Sequence, residues 1–363
     1  MTRPVLYTGD IFRLQARGGI TRYFIELIPR LGRTTRIVAG LHQSKVIRAR
    51  GLDAEASAYM APFKTSPRFR AAVNAVIDAY LLHGDVPTIL HPTYYRDPGR
   101  LPSLPMVLTV HDMAHERFPA MFRRRWWNSE DPAHWKKAIV DRADRVICVS
   151  ESTRRDLIEL FRVDEKKTSV IHHGTRVWGT VPSEEIPGLD RPFFLWVGER
   201  HTYKNFAGAV RAWSSSKAAA GTAILCAGGP PLGAGERLLL ETLGVAGRVG
   251  RIVLSEAGLR WAYERAAGLL YVSRCEGFGL PLLEAMSLGC PVVTSNTSSM
   301  PEVAGDAAIY VDPTDTASIA EGIERCLSEG RDFTKTQRLT ARAALFSWDK
   351  CAAAHEAVYR ELD

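Results

Sequence analysis

Two carboxylates, Glu276 and Glu284, bracket the stretch of this chain with the most to say about chemistry: EGFGLPLLE. An apolar run at 269–273 leads into Glu276-Gly277-Phe278-Gly279, and Pro281 falls where the first turn of a helix would begin. Proline suits that turn, because the N–H it lacks is one a helix start leaves unpaired anyway. The amides of Gly277, Phe278, Gly279 and Leu280 are therefore expected at a positive helix end, suited to a diphosphate or a sugar hydroxyl. The glycines let a ligand approach the backbone closely. Carboxylates repel phosphates, so Glu276 before the helix and Glu284 in its second turn are better aimed at hydroxyls. A sugar on one side of a diphosphate and a ribose on the other would supply them. Hydrogen bonds to a charged group contribute about 1.5–3 kcal/mol each. The plainer alternative is a loop charge followed by a surface helix residue.

A second group carries the opposite charge. The strand-like run 193–197 ends in GERHTYKN, which places Arg200 and Lys204 just after a strand, where they could neutralise a diphosphate leaving group. Two solvated loop cations are the plainer reading. His111, in VLTVHDMAH, also follows a strand-like run. With His115 it superficially matches a zinc-binding pair, but such a pair needs one continuous helix and a further ligand. His111 is read instead as a ligand-facing histidine, and no metal is expected. The densest basic and aromatic cluster, Arg123-Arg124-Arg125-Trp126-Trp127, suits either an anionic membrane surface or a helix with its tryptophans turned inward.

These residues need strands to present them, and the chain supplies strands in two series. Short apolar runs at 5–7, 37–39, 89–91, 107–110 and 146–149 alternate with helical stretches at 21–31, 69–82 and 152–160. Periodicity is then lost between 174 and 192, where Pro182, Pro187 and Gly188 mark a linker. A second series follows at 193–197, 223–227, 252–254, 268–272, 291–294 and 308–311, with helices at 206–214, 280–288 and 316–327. The pattern implies an α/β chain of two doubly wound parallel sheets, whose ligands gather at the carboxyl ends of the strands.

The 363 residues are 46% hydrophobic and 24% charged, enough for two packed domains. No apolar stretch approaches the roughly 20 residues needed to span a bilayer, and the start, MTRPVLY, has no signal-peptide character. Six cysteines without CxxC spacing suggest reduced thiols and a cytoplasmic protein. The net charge of +7 suits a phosphate-bearing partner or an anionic membrane surface. Nucleic acid is not the expected partner. A GxGxxG fingerprint, a P-loop, a GxSxG elbow and an Asp-x-Asp triplet are all absent from the sequence, which argues against dehydrogenase chemistry and metal-held diphosphates.

EGFGLPLLEAMSLGCPVVTS followed by MPEVAGDAAIYVDP resembles the donor-site signature of the GT-B retaining glycosyltransferases of family 4, with Glu276 and Glu284 at its paired glutamates. VGERHTYKNF resembles that family's phosphate-binding loop, with Arg200 and Lys204 at the matching positions, although Tyr203 stands where the commoner form has arginine. ARGGITRY resembles the loop with two glycines, Gly18 and Gly19, that opens the first helix, VLTVHD the step bearing a donor-facing histidine, and FSW a tail returning to the first domain. The resemblance implies a GT-B fold with an acceptor-side domain at 1–180, a donor domain at 181–345 and a returning helix at 346–363. It further implies a nucleotide-sugar donor, GDP- or UDP-linked with mannose favoured, and no cofactor or metal. The acceptor would be a glycan or lipid-linked glycan, with peripheral contact at the inner face of a membrane. A nucleotide-sugar epimerase on the same fold and an idle carbohydrate- or nucleic-acid-binding protein are the alternatives.

Overall fold

The computed structural model describes residues 2–44, 47, 52, 58–59, 66–82, 88–122, 132–189, 191–200 and 202–363. The cluster Arg123–Trp127 lies outside the described residues. The chain forms two compact units, Met1–Gly174 with Ser347–Asp363, and Thr175–Phe346. The stretch after Gly174 belongs to the second unit although its composition reads as linker. Trp178 explains the difference: it is buried, and its indole N–H donates to Ser287 Oγ at 3.1 Å.

In the first unit the strands are β1 (Val5–Thr8), β2 (Thr35–Val38), β3 (Leu41–His42), β4 (Ala58–Tyr59), β5 (Ile89–His91), β6 (Val107–Val110), β7 (Arg145–Cys148) and β8 (Thr168–Val170). They pair in parallel as β2-β1-β5 and β6-β7-β8, with β3 and β4 as a separate pair. A single parallel bridge, Leu90 to Met106, joins the two larger sheets. Apolar side chains on both faces of β1, β5 and β6 are buried, as parallel strands covered by helices on two sides require. The helix Trp348–Arg360 belongs to this core and buries Trp348, Cys351, Ala352, His355, Val358 and Tyr359 along one side. Ser347 caps it, its hydroxyl accepting from the Asp349 and Lys350 amides.

In the second unit β9 (Phe193–Val197), β10 (Ala223–Ala227), β11 (Val249–Ile252), β12 (Gly268–Tyr271), β13 (Val292–Ser295) and β14 (Ile309–Val311) form one parallel sheet, ordered β11-β10-β9-β12-β13-β14. Its strand order is that of dinucleotide-binding sheets, reversing between β9 and β12, and such a reversal opens a crevice at the carboxyl ends of the two strands. Phe194, Trp196, Phe206, Trp213, Leu270 and Ile323 form its apolar core.

Elements depart from the sequence pattern where local chemistry overrides apolarity. The helix read at 21–31 is α-helical over Gly19–Leu27 and tightens to a 3-10 turn at Ile28–Arg30, because Pro29 has no N–H to continue it. β11 lies earlier than the apolar run 252–254, since this edge strand exposes Gly250 and Arg251. All six cysteines are buried and none of them forms a disulfide. Ser150 caps Glu151–Phe161, accepting from the Thr153 amide at 3.0 Å.

The last residue of the first segment tests how the returning helix seats. A Cβ on Gly174 would lie 2.1 Å from the Trp348 amide nitrogen, which is backbone and cannot yield. Gly174→Ala is expected to destabilise the first unit by ~1–3 kcal/mol, read as a lower urea midpoint, whereas Gly179→Ala, with open space around it, should not.

Candidate functional site

The crevice at the β9/β12 reversal is occupied by an ion pair. Lys204 Nζ, in the loop after β9, lies 2.6 and 2.7 Å from the two carboxylate oxygens of Glu276, in the loop after β12. Their side chains are 20% and 9% exposed, so the pair is partly dry but still open to a ligand. Several bonds hold the two loops in register. The Arg274 amide donates to Tyr203 O at 2.8 Å. Asn205, left-handed at φ 64°, turns its side-chain amide to Val272 O and Pro313 O at 3.2 and 2.7 Å. Tyr203 and Tyr271 place ring faces 5.2 and 5.7 Å from Nζ, a setting that favours a cation.

Glu276 is gripped from three sides. Ser273 Oγ donates to its Oε1 at 2.6 Å, its own amide donates to Ser298 Oγ at 3.1 Å, and Ser299 Oγ donates to its carbonyl at 3.0 Å. The same hydroxyl hydrogen is shared with the Phe278 carbonyl, also at 3.0 Å, fixing the start of the next helix. That helix, Leu280–Ser287, begins after Gly279 at φ 103°, a left-handed turn that a side chain would strain. Gly277, Phe278 and Gly279 are buried, with the Phe278 ring turned edge-on to Phe346. Phe278 therefore contributes backbone to the loop surface and side chain to the core.

Glu284 is buried rather than a surface helix residue, and Tyr263 OH donates to its Oε2 at 2.9 Å. Arg200 is placed differently from Lys204. Its guanidinium pairs with Glu236 at 2.7 Å and reaches the Pro230 carbonyl, while its buried Nη1 has no hydrogen-bond partner among the described residues. The structure thus joins Lys204 to Glu276 and commits Arg200 to the loop after β10. Asn205, Ser273, Ser298, Ser299 and Tyr263 escaped the sequence reading. The first four follow strands β9, β12 and β13, so the strand-end rule applied to every polar residue would have found them.

In the first unit, His111 follows β6 and is buried, with the Tyr23 ring edge-on at 5.2 Å and 84°. Neither of its ring nitrogens has a hydrogen-bond partner among the described residues. Burial pulls its pKa down to about 3, against the pull of Asp112 and with the help of Lys136. Lys136 is itself buried and clamps the loop, donating to Asp112 O at 3.0 Å and to Glu116 at 2.8 Å. His111 precedes the short helix Ala114–Arg117 that carries His115, so the two do not share a helix face. Gly18 and Gly19 are exposed at the start of Gly19–Leu27, where a Cβ on Gly18 would meet the Gln15 side chain.

Two Rossmann-like parallel-sheet domains in one chain, the second holding a charged pair at its strand-order reversal, define a GT-B enzyme. The chain belongs to the family 4 type of glycosyltransferases. Residues 17–177 match Glycosyltransferase Family 4 and residues 182–345 match Glycosyl transferases group 1. It is 29% identical over 292 residues to O-antigen chain mannosyltransferase B of Escherichia coli, a match covering 75% of this chain and 72% of that one. To O-antigen chain mannosyltransferase RfbU of Salmonella typhimurium it is 27% identical over 221 residues, covering 60% of this chain and 59% of that one. In fold it resembles HepE of Anabaena, solved in complex with UDP-glucose, with a TM-score of 0.72 at 15% identity over 99% of this chain and 100% of that one.

Acid should expose the cost of the buried histidines. Burial holds His91 and His173 well below the ordinary 6.5, His355 at about 4 and His111 at about 3. Below pH 6.5 the unfolded chain takes up protons that the folded rings refuse. Stability is therefore present in full above about 6.5 and falls as the pH drops towards 4. Each proton adds about 1.4 kcal/mol per pH unit to that slope. Urea melts at pH 7 and pH 5 should show a clear loss at the lower value; equal midpoints would contradict the neutral state assigned to these rings.

Proposed function

We propose that this enzyme is a retaining hexosyltransferase that draws mannose from a GDP- or UDP-sugar and delivers it to a hydroxyl of a glycan or lipid-linked glycan in cell-surface polysaccharide synthesis. The observation that carries this reading is the Lys204–Glu276 pair at the strand-order reversal. The two O-antigen mannosyltransferases support the sugar and the polymer, and the UDP-glucose complex of HepE supports a nucleotide-sugar donor.

In the transfer, the bond between the sugar C1 and the diphosphate oxygen breaks. The acceptor oxygen bonds to C1 on the same face, and its proton passes to the departing diphosphate. Lys204 stabilises the charge that grows on that diphosphate, which is where a fixed cation lowers a barrier most. Arg200 would assist through Nη1, its remaining donors being held by Glu236 and Pro230. Glu276 accepts from sugar hydroxyls and Glu284 from the ribose, while the backbone from Gly277 to Leu280 receives the diphosphate. His111, neutral and with both ring nitrogens lacking a protein partner among the described residues, is assigned to the donor sugar. Gly18 and Gly19 leave the opening of the first helix low enough for close approach.

Lys204→Ala and Glu276→Ala are expected to lower kcat by at least a hundredfold, with the fold intact by circular dichroism. Arg200→Ala should cost less. Calorimetry against GDP, UDP, ADP and dTDP should find one diphosphate bound selectively, and Glu284→Ala should weaken it. Normal turnover in the Lys204 and Glu276 variants would sink the assignment. Conversion of the donor to an epimer without any acceptor would favour an epimerase.

Peripheral contact with an anionic membrane belongs to the same reading, and the helix Pro67–Leu81 supports it. Two of its polar residues face inward: Asn74 bonds the Leu41 backbone, and Asp78 pairs with Arg13 and Arg96. Phe69, Val76 and Tyr80 are 55%, 71% and 83% exposed, and their spacing puts them on one stripe. With Asp78, its only acid, turned inward and Arg68 exposed near its start, the outer face is apolar and basic, which matches an anionic bilayer surface. Among the described residues no helix is long and apolar enough to cross a membrane. The protein should co-sediment with phosphatidylglycerol vesicles and not with phosphatidylcholine ones, and the triple variant F69S/V76S/Y80S should remain in the supernatant. Equal sedimentation of the variant would remove this helix from the interface.

A further inference from the structure

The first unit hides a chain of side-chain hydrogen bonds that the transfer chemistry does not use. Tyr7 OH lies 2.7 Å from Tyr359 OH, which lies 2.6 Å from His91 Nδ1. His91 Nε2 lies 3.0 Å from Thr109 Oγ1, which lies 3.1 Å from Tyr23 OH. Tyr23 OH lies 2.5 Å from His355 Nε2, and His355 Nδ1 lies 2.7 Å from the Cys351 carbonyl. All six side chains are buried, and they come from β1, β5, β6, the helix Gly19–Leu27 and the helix Trp348–Arg360.

The carbonyl at the end fixes the direction of the whole chain. A carbonyl only accepts, so His355 Nδ1 carries the hydrogen; in a neutral ring Nε2 is then bare and accepts from Tyr23. Tyr23, having donated its one hydrogen, accepts from Thr109, and Thr109 accepts from His91 Nε2–H. His91 Nδ1 is then bare and accepts from Tyr359, which accepts from Tyr7. Each donor is used once, and reversing any single member would set two hydrogens face to face. Burial, which keeps both histidines neutral, agrees with this order.

We propose that His355 and Tyr23 are positioning residues for His111, the returning helix anchoring a one-way hydrogen-bond chain that holds the Tyr23 ring edge-on against the His111 imidazole. Tyr23 also lies 4.9 Å from the His173 ring, which stacks on Trp348 at 5.7 Å, so the same helix braces Tyr23 from a second side. With Tyr23 fixed by its hydroxyl and its ring, the His111 ring is flanked by aromatic rings and, among the described residues, keeps its nitrogens for a ligand. The role given to His111 rests on the glycosyltransferase reading; the direction of the chain does not.

The test is NMR of the full chain with 15N-labelled histidine. The wild type should show His91 as the Nε2–H tautomer and His355 as the Nδ1–H tautomer. In Tyr23→Phe the upstream bonds lose their anchor, so His91 should become a mixture of tautomers although its own contacts are untouched. The His111 ring signals should shift in His355→Leu and return in His355→Gln, whose side-chain oxygen can again accept from Tyr23. His91 protonated at Nδ1, an unmixed His91 in Tyr23→Phe, or unmoved His111 signals in His355→Leu would each overturn the proposal. In transfer assays Tyr23→Phe should lose roughly ten- to hundredfold in kcat with donor KM little changed; unchanged kcat would overturn the positioning role. A wild-type chain that transfers no sugar would instead overturn the functional reading and leave the tautomers to be judged on the spectra.

Discussion

A parallel sheet whose strand order reverses once has one place where two neighbouring loops part, and the second unit fills it with the Lys204–Glu276 pair. The pair is under tension between two requirements. Each charge is too buried to stand alone, and stripping one partner from such a pair costs about 3–5 kcal/mol where burial is complete. Each must also be available to a ligand. An ammonium has three donors and a carboxylate about four acceptor positions, so both can remain paired while a diphosphate approaches Lys204 and hydroxyls approach Glu276. The resting site is thus charge-balanced without being saturated. Ser273, Ser298, Ser299 and Asn205 hold that geometry by bonds to the carboxylate and to loop carbonyls.

The first unit meets its requirement in the opposite way. Its centre is polar but neutral: tyrosines, a threonine and histidines whose charged forms burial forbids. Buried polar groups are costly when unpaired and give unique structure when every donor is used. His111 departs from full satisfaction, both of its ring nitrogens lacking a hydrogen-bond partner among the described residues, beside a fully bonded neighbour. Such a ring, in a loop clamped by Lys136, is where a ligand group has much to offer.

Much of this could be read from the sequence because the chemistry is carried by short segments. The loop Glu276–Gly279, the proline near the helix start and the cation eleven residues after Phe193 all sit within a strand–loop–helix register that apolar runs reveal. The pairing of Lys204 with Glu276 was not legible, since it depends on β9 and β12 being neighbours in space with β10 and β11 between them in sequence. The pairing of Arg200 with Glu236 was not legible for a related reason: Glu236 lies beyond an intervening strand and caps its own helix at Gly233. The inward Asp78 was equally hidden, because helical periodicity assumes that the apolar side faces the core. On Pro67–Leu81 Asn74 and Asp78 turn inward beside the core-packed Ile77 and Leu81, drawn in by Arg13, Arg96 and the Leu41 backbone.

The C-terminal segment gains its importance from where it changes unit. Phe346 is the last residue of the second unit and packs against Phe278 in the motif loop. Trp348, two residues on, stacks on His173 in the other unit and opens the helix that carries His355 and Tyr359. A tail that merely covered exposed apolar surface would need only the aliphatic contacts of Ala352 and Val358. This one delivers a histidine to one end of a proton-ordered chain and, near the other, a tyrosine that joins Tyr7 of β1 to His91 of β5. Its polar residues therefore specify how the first unit's core is ordered, a task that burial of area alone leaves undone.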